Sequence, residues 1–152
     1  MVLPGFFEGV LSQIGAPVTA NNLGVLNTWA HFEGGNAAFN PLNTTKTAPG
    51  TTNYNSAGVK NYASMEDGIH ATAVTLRLSY YPYIRQALKE NKSLSYWYGN
   101  SGIIENLKTW GTVNLANELK KAGNTPPEIK KKIIPALILA ITGMAIIITA
   151  HE

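Results

Sequence analysis

Apolar positions fall at helical spacing along most of this chain and lose that spacing in one polar stretch. Near the start, Phe6, Phe7, Val10, Leu11 and Ile14 gather on one side of a helix predicted over residues 6–14. A second helix is predicted over 22–32. Leu23, Leu26, Ala30 and Glu33 lie along one stripe, with Val25, Trp29 and Phe32 beside it. Thr19, Asn21 and Asn22 are its candidate N-caps, since a short polar side chain there accepts from an unpaired first-turn N–H. Residues 36–62 break the pattern: they are rich in Asn, Thr, Gly and Pro, and read as an irregular segment with a small hairpin. Ser64 then opens a third helix. Asp67, three residues on, makes a capping-box variant, and Glu66 and Asp67 suit the positive end of the helix dipole. Ile69, Ala73, Leu76 and Tyr80 follow at helical spacing, and further helices are predicted over 83–91, 101–107 and 114–121. The expected fold class is mainly α (α+β), with the β part confined to the polar insert.

Three stretches follow from this pattern. Residues 1–122 read as the globular unit, 123–132 as a Pro- and Lys-bearing linker, and 133–150 as an apolar helix. The last is uncharged and would extend about 27 Å, close to a bilayer's hydrocarbon thickness. Lys130, Lys131 and Lys132 precede it and would hold the N-terminal unit on the positive-inside face. The competing reading is a buried helix of a soluble core. The first residues lack a basic leader and carry Glu8 among apolar positions, so they read as a helix rather than an export signal.

Composition narrows the function classes. The 152 residues are 14% charged, with a net charge of +3. The pI near 9.1 suits an acidic surface such as a cell wall or an anionic membrane. No basic cluster interleaved with aromatics points to nucleic acid. With no cysteine there is no disulfide framework and no zinc-thiolate site. His31 and His70 have no partner at metal-ligand spacing and read as structural, so neither a metal site nor a cofactor is expected.

The candidate chemistry centres on Glu33. Gly34 can take the left-handed conformation that closes a helix, which puts Glu33 in the last turn. A carboxylate there faces the negative end of the dipole, at a cost of roughly 0.3–1 kcal/mol. Trp29, Phe32 and Phe39 are near in sequence and would desolvate it. Both effects favour the protonated acid, which is what a general acid for glycosidic cleavage requires. The plainer reading is a solvent-exposed glutamate before a glycine stop. Of the other acidic residues, only Glu66 and Asp67 lie near the polar segment, and capping accounts for both. A single working carboxylate is therefore expected, without the usual acidic partner.

The runs EGGNAAFNPLNTT (from Glu33) and YNSAGVKNYASMEDGIHATAVTL (from Tyr54) resemble the lysozyme-like, transglycosylase-type domains of bacteriophages and their hosts. The similarity spans residues 29–76, with a weaker echo at KTWGT, residues 108–112. The resemblance implies that Glu33 is the catalytic acid, and that GVKN stands in the place of a Gly-x-x-Gln element. Asn61 would then be a polar arm toward the sugar and Tyr62 would line the cleft. YWYGNSG, residues 96–102, is loosely similar to an aromatic-Asn-Ala-Gly element of the same enzymes. Two positions depart from that pattern. Gly34 stands where a serine is usual, and Asn61 where a glutamine is.

Asn40, Asn43 and Asn55 either bind substrate or make Asx-turns. Tyr96, Trp97, Tyr98 and Trp110 either stack on sugar faces or fill the core, with Tyr98 the first candidate for a sugar contact. The expected substrate-binding set is Asn43, Asn55, Asn61, Tyr62 and Tyr98. The expected partners are peptidoglycan glycan strands and a lipid bilayer, either a phage virion's internal membrane or the host membrane, with the virion membrane the expected location. The alternative is a non-catalytic, membrane-anchored structural virion protein.

Overall fold

Apolar side chains on one face of a short segment, stopped by a glycine, are enough to set the first element. Helix α1 (Phe6–Ile14) buries Phe6, Phe7, Val10, Leu11 and Ile14 and ends on Gly15, which is left-handed at φ 70°. The N–H of Gly15 returns to the Ser12 carbonyl, and that of Ala16 to Leu11, so two open helix carbonyls are answered. Thr19 caps α2 (Ala20–Glu33), accepting from the Asn22 N–H at 3.1 Å. The computed structural model describes residues 3–124.

The described residues form a mainly helical domain of seven helices with one small antiparallel sheet. After α2 come β1 (Thr52–Asn53) and β2 (Lys60–Asn61), paired Thr52 to Asn61 and Asn53 to Lys60. Then follow α3 (Met65–Arg77), α4 (Pro82–Lys89), α5 (Leu94–Gly99), α6 (Ser101–Trp110) and α7 (Leu115–Asn124). Ser64 caps α3 as its sequence predicts. Its Oγ accepts from the Asp67 N–H at 3.1 Å and donates to the Asp67 carboxylate at 2.6 Å.

One core joins these helices. Phe6, Phe7, Leu11, Leu26, Trp29, Leu42, Leu76, Ile84, Leu88, Trp97, Ile103 and Leu107 are its largest enclosed side chains. Each contributes on the order of 1.5–3 kcal/mol by leaving water. A polar seam locks the start of α2 to the end of α4. Asn22 donates to the carbonyls of Pro17 and Leu88, both at 2.9 Å, and Asn21 donates to the Lys92 carbonyl at 2.8 Å. Leu42 belongs to this core although it lies in the polar segment, and so ties the loop after α2 to the helices.

Four expectations change. Tyr80 does not continue the buried face of α3. The helix stops at Arg77, Tyr80 is 63% exposed, and Tyr81 takes the interior place at 8%. Pro82 opens α4, and the residue before a proline avoids helical backbone, so a break is forced at Tyr81. Phe32 does not pack beside the core stripe of α2 but stands 38% exposed. Helix α5 lies where no helix was expected, and α7 runs to Asn124, two residues into the expected linker. The rest of that linker, with its lysines, and the apolar run 133–150 lie outside the described residues. No helix among the described residues is long and apolar enough to cross a membrane.

Candidate active site

Glu33 is the last residue of α2, and Gly34 closes the helix in the left-handed conformation at φ 58°. The Glu33 side chain is half-buried. Its Oε1 accepts from the Trp29 indole N–H at 3.1 Å, one helical turn back, and its Oε2 accepts from Asn43 Nδ2 at 3.0 Å. The same Asn43 nitrogen donates to the Glu33 main-chain carbonyl at 3.2 Å, one of the carbonyls the helix end leaves open.

A second indole stands at the site from far along the chain. Trp110, at the end of α6, donates its N–H to the Leu42 carbonyl at 3.1 Å and also acts on the Glu33 carboxylate. Its ring meets Trp29 at 4.8 Å and Tyr81 at 4.9 Å between centroids. The carboxyl therefore sits against an aromatic wall built from α2, α6 and the turn before α4. Of the three neighbours expected to desolvate Glu33, Trp29 is enclosed and Phe32 points outward.

These contacts compete. Burial raises the Glu33 carboxyl above its ordinary value. The N–H donors of Asn43, Trp29 and Trp110, in that order, favour the ionised form and offset burial only in part. Proximity to the negative end of α2 acts in the same direction as burial. None of the ion pairs found among the described residues, Lys92–Glu90, Lys108–Glu105 and Lys121–Glu118, involves Glu33. The result is a carboxyl that holds its proton to a higher pH than a surface glutamate does. Oε1 receives the Trp29 N–H and Oε2 that of Asn43, with the Trp110 N–H a third influence on the carboxylate.

The loop after α2 delivers Asn43 to this position. Asn40 is fully buried and acts as its staple. Its amide donates to the carbonyls of Thr44 at 2.8 Å and Lys60 at 2.7 Å, while its oxygen accepts from the Thr44 N–H at 2.8 Å. Phe39 and Asn43 take left-handed backbone at φ 52° and 54°. That conformation is unusual for a residue with a side chain, and Asn tolerates it better than most. Gly68 on α3 admits the Phe39 backbone so closely that a Cβ would fall on the Phe39 carbonyl oxygen.

The other sequence candidates have internal partners. Asn61 Oδ1 accepts from the Ala38 N–H at 2.9 Å, and its amide nitrogen reaches Thr52 Oγ1 at 3.3 Å, so it ties the loop to the sheet. Tyr62 is 3% exposed, with its hydroxyl bonded to Thr44 Oγ1 at 2.8 Å and to the Lys46 carbonyl at 2.7 Å. It is placed as an interior strut rather than a cleft wall. Asn55 closes the loop of the hairpin, its Oδ1 accepting from the Val59 N–H, four residues on, at 3.2 Å. Tyr98 is partly buried on α5 and faces Gly123 of α7. Trp97 is fully buried. Only Asn43 of the expected binding set touches Glu33.

Two surface depressions are distinct from this site. One, of about 380 Å³, is lined by Ser93, Ser95, Tyr96, Gly99 and Asn100. The other, of about 270 Å³, is lined by Thr28, His31, Phe32 and Glu118. Among the described residues no group of three or more His, Asp or Glu side chains gathers as a metal site would require. The exposed His70 pairs instead with Gln13 at 3.3 Å.

Sequence reasoning did not assign Asn43 to Glu33, nor Trp110 to the carboxyl. A faint signal existed for each. Asn43 follows Pro41 and Leu42 in a turn-forming run, and Trp110 lies in the KTWGT echo. Compared with protein-family models, with curated proteins and with solved structures, the chain matches none.

Proposed function

We propose that the chain is a peptidoglycan-cleaving glycosidase of the lysozyme and lytic-transglycosylase type, with Glu33 as its general acid. The observation that carries this reading is the Glu33 carboxyl. It is half-buried at the end of α2, held by Trp29 and Asn43, and raised in pKa by desolvation. An acid that holds its proton to a higher pH than a surface glutamate, in none of the ion pairs among the described residues and backed by aromatic rings, suits protonation of a glycosidic oxygen. The resemblance of residues 29–76 to lysozyme-like domains supplies the substrate class: the bond between N-acetylmuramic acid and N-acetylglucosamine.

The chemistry runs in two steps. Glu33 gives its proton to the bridging oxygen, and the bond from that oxygen to the muramic C1 breaks with its electron pair on the departing sugar. Positive charge builds at C1. No carboxylate among the described residues acts on Glu33, so the acetamido oxygen of the muramic residue closes on C1 and holds that charge. Glu33, now ionised, serves as the base for the second step. No cofactor takes part in this scheme.

The same proposal includes an address. The apolar run 133–150 and the lysines before it would tether the enzyme to a virion membrane, bringing it to the wall during infection. Co-purification with virion lipid is the expected result, and a protein found free in the host cytosol would overturn this part.

A second reading has specific observations on its side. Asn61 and Tyr62 are engaged in the fold, and Glu33 lines neither surface depression. These suit a membrane-anchored structural virion protein with a lysozyme-like lobe that cleaves nothing. Glu33→Gln separates the two. Under the enzyme reading, clearing of a purified peptidoglycan suspension falls by orders of magnitude while the fold persists; under the structural reading, wild type and variant behave alike.

A further inference from the structure

Asn43 has an amide whose two ends do different things. Its nitrogen donates to two acceptors on Glu33, the carboxylate Oε2 and the main-chain carbonyl. A main-chain carbonyl only accepts, so this fixes which end of the amide is nitrogen. Oδ1 is then the other end of the amide whose nitrogen holds the Glu33 carboxyl. Among the described residues no group donates to it. The fully enclosed side-chain atoms without a partner are Asn22 Oδ1, Thr72 Oγ1, Trp97 Nε1 and Thr112 Oγ1, and Asn43 Oδ1 is not one of them. Among the described residues it is therefore an acceptor without a donor and not fully enclosed, on the side chain that holds Glu33.

The backbone supports a role beyond a turn. Asn43 holds φ 54°, a conformation that costs a side-chain-bearing residue energy and tends to collect at functional sites. The buried Asn40 fixes the turn, and Leu42 anchors it in the core. The acceptor is thus held by rigid surroundings rather than by a free loop.

Resting on the glycosidase reading above, we propose that Asn43 Oδ1 and the ionised Glu33 carboxylate form an acceptor pair that orients an attacking water, so that the enzyme hydrolyses its substrate. The second step has two possible nucleophiles, and they differ in hydrogens. The C6 hydroxyl of the muramic residue has one hydrogen, and the base takes it. Water has two. One goes to Glu33, and the other needs an acceptor close by, which Oδ1 provides. A C6 hydroxyl in the same place would leave Oδ1 without a donor in a site the substrate has dried, which disfavours it.

The step balances. The water oxygen forms the new bond to C1 and one water proton passes to Glu33. The bond between C1 and the acetamido oxygen breaks, and its electron pair returns to the acetamido group. Glu33 ends as the acid it began as, and the product carries a reducing end with the original anomeric configuration, because water enters on the face the leaving sugar vacated.

The test is product analysis by mass spectrometry on the full chain, with purified peptidoglycan in water enriched in oxygen-18. The expected result is muropeptides with reducing ends, each carrying one heavy oxygen. Asn43→Gly keeps the left-handed backbone and removes the acceptor; reducing-end release should fall by roughly tenfold or more, with 1,6-anhydro ends rising as a share of what remains. Anhydro ends as the main wild-type product would overturn the proposal while leaving Glu33 as the acid. So would a folded Asn43→Gly variant with wild-type rate and product ratio. The wild-type measurement decides even if that variant does not fold. No release of muropeptides at all overturns the glycosidase reading, and this inference with it.

Discussion

A glycine inside a helix is unfavourable unless something needs the space its side chain would fill, and Gly68 offers a sharp case. Relative to Ala it costs α3 about 1 kcal/mol of helix propensity. The structure shows what occupies the space: a Cβ at Gly68 would fall on the carbonyl oxygen of Phe39 and lie 3.0 Å from its carbonyl carbon and 3.1 Å from its Cβ. The obstacle is backbone, in a loop pinned by Asn40 and already in left-handed conformation at Phe39. Relief requires moving the whole turn that carries Asn43. Overpacking of this kind costs about 1–3 kcal/mol or more, and the propensity gain of about 1 kcal/mol offsets only part of it. Gly68→Ala should therefore destabilise the chain by about 1–2 kcal/mol. Gly24 supplies the control. It lies inside α2 with ordinary helical backbone, and a Cβ there would meet nothing within 4 Å, so Gly24→Ala should stabilise by about 0.5–1 kcal/mol. Urea denaturation of both variants in the full chain tests the pair. If Gly68→Ala matched Gly24→Ala in sign, the close approach of loop and helix would be wrong, and with it the placement of Asn43.

Other consequences follow from Glu33. Its folded pKa lies above its unfolded one, so it contributes stability that is fully present below the unfolded pKa and is lost as pH rises through the folded value. Denaturation midpoints of wild type should therefore fall relative to Glu33→Gln across that window, and parallel curves would contradict the shift. Trp29→Phe removes the donor to Oε1. Because that bond favours the ionised form, the Glu33 carboxyl should titrate higher still by carbon-13 NMR, and a downward move would refute the assignment. The lost hydrogen bond and the smaller ring together should cost about 2–4 kcal/mol, measured by denaturation.

Local chemistry was readable from the sequence, and distant pairing was not. Helix α1 could be placed from five apolar residues and a glycine, and α3 from Ser64 and Asp67, because both signals lie within a few residues of what they control. The same holds for Glu33 at a glycine-closed helix end. Helix α5 is six residues long, too short to show a period, and its run of Tyr, Trp and Tyr gave no apolar face to count. Tyr80 kept the spacing of α3 but lay beyond its end, where Pro82 rather than periodicity governs. Helix α2 carries Asn and Thr among its apolar residues, so spacing alone did not separate the buried Trp29 from the exposed Phe32. The partners of Glu33 required tertiary structure. Asn43 reaches it through a loop with two left-handed residues, and Trp110 through the packing of α6 on the core.

The central claim is that Glu33 is an acid acting on a glycan, and the most direct measurement is the pH dependence of kcat/KM for peptidoglycan cleavage by the full chain, alongside Glu33→Gln. Protonated Glu33 is needed for the first step, so the rate should fall as pH rises through the carboxyl's own titration midpoint, measured by carbon-13 NMR on the same protein. Glu33→Gln should cleave slower by orders of magnitude at every pH. Cleavage by the folded Gln variant at a rate near wild type, or an alkaline limb well away from that midpoint, would contradict the account.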